Sequence, residues 1–114
     1  MMTFVDVTSY LVFAYASPAG FSGSGGADAL IALTTTNPNL FPTLRFYRAG
    51  SAIPQNSFSS AAGRTFFYLN YTYDQMPVIV DLLRNESPIK FFFRDDTLQG
   101  YVTTAMEPVG EGES

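Results

Sequence analysis

The chain has 114 residues, 46% hydrophobic and 14% charged, with a formal charge of −4 and neither cysteine nor histidine. Its length suits one domain with a two-layer core, and the two missing residue types exclude disulfides, zinc–thiolate sites, thiol nucleophiles and the commonest general base near neutral pH. Glu107, Glu111 and Glu113 fall in the last eight residues, which leaves seven acids against six bases in the body; a strongly basic nucleic-acid protein is excluded, a local basic patch is not.

Soluble domains carry roughly 25% charged residues, so a chain with so few is expected to hide part of its apolar surface in a homo-oligomer. The start, Met1 to Asp6, has no basic segment and meets an acid by its sixth residue, and no apolar run reaches the roughly 20 residues of a membrane span. The expectation is a cytoplasmic protein without membrane contact.

Thr3 to Tyr15 is rich in Val, Thr, Tyr and Phe without a turn residue and reads as a long first strand. Ser17 to Gly26 is too glycine-rich for regular structure and reads as a flexible connector. Ala29 to Thr36 is a second strand, ended by Asn37-Pro38-Asn39, and Leu40 to Arg48 a third, with Pro42 at a position that suits a strand start or edge. Ala49 to Gly63, small and polar, is expected to be a loop tethered by Phe58.

A fourth strand runs from Thr65 to Tyr73. Asp74 is then placed to cap a helix ending near Asn85, with Met76, Ile79, Val80 and Leu83 at helical spacing and Pro88 as its stop. Ile89 to Arg94 and Leu98 to Met106 form a hairpin through Asp95-Asp96-Thr97. The expected fold is α+β and mainly β, a strongly curved antiparallel sheet or open barrel of order β-β-β-β-α-β-β with one covering helix. It occupies residues 1–106 as a single domain, followed by a flexible acidic tail over 107–114.

Period-2 alternation places basic and aromatic side chains together. Arg64, Phe66 and Tyr68 share a side opposite Phe67, Leu69, Tyr71 and Tyr73; Lys90, Phe92 and Arg94 lie opposite Ile89, Phe91 and Phe93; Arg45 and Tyr47 lie opposite Leu44, Phe46 and Arg48. A bulge near Gly63 would exchange the two sides. Such a face suits a protein interface, whose centre favours aromatics and arginine. It also suits, as the alternative, a platform for single-stranded DNA or RNA, where bases stack on rings and cations meet phosphates.

Catalysis has weaker support. No motif pairs two carboxylates, no Ser-x-x-Lys supplies a base, and the Gly23-Ser24-Gly25-Gly26 stretch lacks the phosphate-binding fingerprints. Asp95 and Asp96 read as turn formers rather than metal ligands. The expectation is a non-enzymatic binding or assembly domain that self-associates through the eight-residue face and needs no cofactor or metal; a single-strand binder is the alternative, and a histidine-free enzyme the third reading.

Overall fold

The computed structural model describes residues 2–15 and 26–104; apart from Gly26, the expected glycine-rich connector and acidic tail lie outside them. Seven strands form one sheet: β1 (Met2–Ala14), β2 (Ala29–Thr35), β3 (Leu40–Tyr47), β4 (Ser57–Ala61), β5 (Arg64–Thr72), β6 (Ile89–Arg94) and β7 (Gly100–Thr104), with helix α1 (Met76–Asn85) between β5 and β6. The fold is α+β and mainly β, a curled half-barrel with one helix. No helix among the described residues is long and apolar enough to cross a membrane.

The spatial order is β4-β5-β3-β2-β1-β6-β7. All neighbours pair antiparallel except β3 and β5, which run parallel in unbroken register from Leu40–Thr65 to Tyr47–Thr72. The sheet is therefore mixed, and the reason lies in the segment expected to be a loop. Part of it, Ser57–Ala61, is strand β4, the hairpin partner of β5. β5 inserts between β3 and β4, so the 48–56 connection must step across two strand spacings, roughly 10 Å, before the chain turns back.

Ala62 and Gly63 both hold positive φ, 55° and 79°. That is the two-residue turn whose twist matches a hairpin. Because Gly63 sits in this turn and not in a bulge, the alternation of β5 runs undisturbed and its two faces are those the sequence implies.

The bulge lies in β1 instead, between Val7 and Ser9. Residues 2–7 of β1 pair with β6 and residues 7–14 pair with β2, so the two partners overlap at Val7 alone. A bulge bends its strand and deepens the twist. Here it folds the sheet into two legs, β4-β5-β3-β2-β1 and β1-β6-β7, whose inner faces meet. Phe67 of β5 packs on Phe91 and Phe93 of β6 at centroid separations of 5.2 and 5.1 Å, and Phe58 of β4 meets Phe93 edge-on at 5.6 Å.

Phe46, Phe67, Phe91 and Phe93 are fully buried together with Ile31, Leu44 and Leu69. The helix adds Ile79 and Leu83, with Met76, Val80 and Leu82 at the border, the stripe its spacing requires. A short 3-10 turn, Tyr73–Gln75, leads into it. Asp74 does not cap α1: its carboxylate accepts from the Thr72 hydroxyl, and Pro77 occupies the first turn.

Asn70 and Asn56 tie the legs together. Asn70 donates its amide N–H to Asn56 Oδ1 at 2.8 Å, and Asn56 Nδ2 donates to the Leu98 carbonyl at 3.1 Å in the β6–β7 turn. A side chain in the β3–β4 connection thereby links β5 to the far end of the sheet.

Candidate binding faces

All eight residues singled out from the sequence belong to strands whose opposite side enters the core, yet the bend at the β1 bulge divides them between two surfaces. The inner faces of β5 and β6 touch through Phe67 and Phe91, so their outer faces point away from each other. Arg45, Tyr47, Arg64, Phe66 and Tyr68 belong to the five-stranded leg; Lys90, Phe92 and Arg94 belong to the three-stranded leg.

On the five-stranded leg, parallel register sets Arg45 beside Asn70, Thr43 beside Tyr68 and Phe41 beside Phe66. The Arg45 guanidinium lies 4.5 Å from the centroid of Tyr68 and donates from Nε to Asn70 Oδ1 at 2.9 Å. Tyr47 donates its hydroxyl to the same oxygen at 3.3 Å. Tyr47 is only 2% exposed and burial pushes its hydroxyl pKa upward, so it supports Asn70 rather than offering a contact surface. Phe41 stacks on Phe66 at 5.2 Å, and Arg64 stands 5.9 Å above the Phe41 ring. Neither Arg45 nor Arg64 has a carboxylate partner among the described residues.

The three-stranded leg is arranged differently. Register places Phe4 beside Phe92 and Phe92 beside Tyr101. Phe92 stacks on Tyr101 at 4.7 Å and takes Phe4 edge-on at 6.4 Å. Met2 is 66%, Phe4 61% and Tyr101 40% exposed, so an aromatic row crosses three strands, open at Phe4 and Tyr101 and half-buried at Phe92. Its cations are already matched. Lys90 pairs with Asp6 on the adjoining strand and lies 5.6 Å from the Phe4 ring, while Arg94 meets Asp96 at 3.0 Å. The hydrogen bonds from Arg94 hold the Asp96 carboxyl below its ordinary range.

A third ion pair lies at the end of the five-stranded leg, where Arg48 donates to Asp28 from its backbone at 2.9 Å and from Nε at 2.9 Å. These bonds depress the Asp28 pKa. Of the six cations, three are thus engaged by carboxylates and two by aromatic rings. No three His, Cys, Asp or Glu side chains converge as metal ligands among the described residues.

Met2, Phe4, Phe41 and Tyr101 escape the sequence reading. Phe4 alternates with Val5 and Val7, but because β1 is apolar on both sides, composition alone does not say which side turns outward. Beyond the bulge, Leu11 and Phe13 share the outer face of the five-stranded leg and are 58% and 40% exposed. Comparison with known proteins returns no match to a protein family, a curated protein or a solved structure.

Proposed function

We propose that this chain is a non-enzymatic assembly domain that self-associates through the outer face of its three-stranded leg. The supporting observation is the row Phe4–Phe92–Tyr101, exposed at Phe4 and Tyr101 with Phe92 half-buried between them and continued by exposed Met2, around cations that Asp6 and Asp96 already neutralise. Exposed contiguous aromatics on a small chain mark an interaction surface, and interface centres favour rings with few free charges. A phosphate-binding face needs cations available to the ligand, and on this leg Lys90 and Arg94 are committed elsewhere.

Phe4→Asp tests the reading, since residue 4 is outside the core and a charge there disrupts association without entering the fold. Sedimentation at equal concentration should give a lower mass for the variant at an unchanged melting temperature. An unchanged mass rejects this face.

The five-stranded leg favours a second reading, a single-stranded nucleic-acid platform, because Arg45 and Arg64 lie over aromatic rings without carboxylate partners among the described residues. Fluorescence anisotropy with a labelled oligo-dT 20-mer tests it. Phe66→Ala should lose about 1–3 kcal/mol of binding and Arg64→Ala should flatten the salt dependence. No binding at tens of micromolar protein removes the reading.

A further inference from the structure

We propose that the free edge of β4 pairs antiparallel with β4 of a second copy, centred on Ser59, continuing one sheet through both chains. This rests on the reading that the chain self-associates and adds a contact separate from the aromatic row.

β4 ends the sheet: β5 pairs with it on one side, and all five of its residues are exposed. At the other end, α1 packs against β7. The turn at Ala62 and Gly63 determines which peptide groups of β4 are available. In a two-residue hairpin the flanking pair, here Ala61 and Arg64, exchanges both backbone hydrogen bonds. Alternation then turns the N–H and C=O of Ser57, Ser59 and Ala61 toward β5 and those of Phe58 and Ser60 outward. The Ser60 and Thr65 hydroxyls, 3.0 Å apart, fit the close, non-hydrogen-bonded pair this assigns.

Natural edges are usually guarded by lysine, proline, a bulge or a covering element. β4 contains neither lysine nor proline, and no charged residue occurs between Ala49 and Gly63. Its sequence, Ser-Phe-Ser-Ser-Ala, is also compatible with itself. With a two-fold axis at Ser59, Phe58 of each copy faces Ser60 of the other and Ser57 faces Ala61. Four backbone hydrogen bonds form, and neither like charges nor two large side chains collide. That neutrality and self-complementarity favour a second copy over a peptide of defined charge.

The absence of cysteine from the whole chain makes single cysteines unambiguous reporters. In this register the two Ser59 residues form a non-hydrogen-bonded pair with Cα atoms about 4.5 Å apart, inside the range a disulfide spans. Full-length Ser59→Cys under oxidised glutathione should therefore form a disulfide dimer, and Ser57→Cys, facing Ala61, should form one about tenfold more slowly. Ser60→Pro removes an outward N–H and the hydroxyl contact to Thr65 but no backbone hydrogen bond to β5, and combined with Ser59→Cys it should lower cross-linking to the Ser57→Cys rate.

Equal rates for Ser59→Cys and Ser57→Cys, or cross-linking indifferent to Ser60→Pro, would overturn the proposal. Phe4→Asp should leave Ser59→Cys cross-linking unchanged. If cross-linking fails while the unmodified chain associates and Phe4→Asp lowers its mass, the edge pairing falls and the aromatic face stands. Failure of cross-linking in a chain of single-copy mass removes both.

Discussion

Leu69 of β5 fills the space that a side chain on Gly100 of β7 would need: a Cβ at position 100 would stand 2.5 Å from Leu69 Cδ2. The two residues come from opposite legs, and the contact measures how tightly the sheet closes on itself.

Gly100→Ala should therefore destabilise the fold. The added methyl also meets the Phe92 carbonyl and Phe93 Cδ1, each at 3.1 Å, and Leu69 is 1% exposed, with little room to swing away. Overpacking of this kind costs about 1–3 kcal/mol. Urea unfolding should show a lower midpoint with an unchanged slope.

Ala62→Asn should stabilise. Ala62 holds φ 55° in the β4–β5 turn, a conformation whose steric cost for a residue with a Cβ is roughly 1–2 kcal/mol and which asparagine tolerates better. An Asn-Gly turn should recover about 1 kcal/mol, read as a rise in melting temperature. An unchanged or lower temperature would mean that the turn relaxes without strain.

Burial pushes the Tyr71 hydroxyl pKa up to about 12 from its ordinary 10.0. Between these values the unfolded chain releases the proton and the folded chain keeps it, so folding stability is full below pH 10 and falls as pH rises through about 12. The full shift corresponds to about 2–3 kcal/mol. Ultraviolet titration should show an ionisation near pH 12 that is missing from Tyr71→Phe, and the same substitution should remove this part of the alkaline loss. An alkaline stability profile unchanged in Tyr71→Phe would contradict it.

The sequence discloses the strands whose two sides differ in chemistry. In β5, Phe67 and Leu69 oppose Arg64, Tyr68 and Asn70, and in β6, Phe91 and Phe93 oppose Lys90 and Arg94; alternation sorts both correctly. The stripe of Met76, Ile79 and Leu83 likewise identifies the buried side of the helix. β1 resists the same treatment because Phe4, Val5, Val7, Tyr10, Leu11 and Val12 put apolar groups on both faces, which hides the bulge at Val7–Ser9. That one irregularity turns a single imagined face into two surfaces pointing apart. β4 was hidden for the opposite reason: Ser57, Ser59 and Ser60 leave Phe58 alone, too little for a period, and without β4 the parallel pairing of β3 and β5 has no visible cause. Asp74 misleads because the Thr72 hydroxyl is the closer partner.

The mass of the unmodified chain in solution decides whether it self-associates. Light scattering at micromolar concentration should return at least twice the 12.5 kDa of one chain, with Phe4, Phe92 and Tyr101 withdrawn from solvent in the assembly. A particle of 12.5 kDa that stays so as concentration rises would mean that the chain does not self-associate.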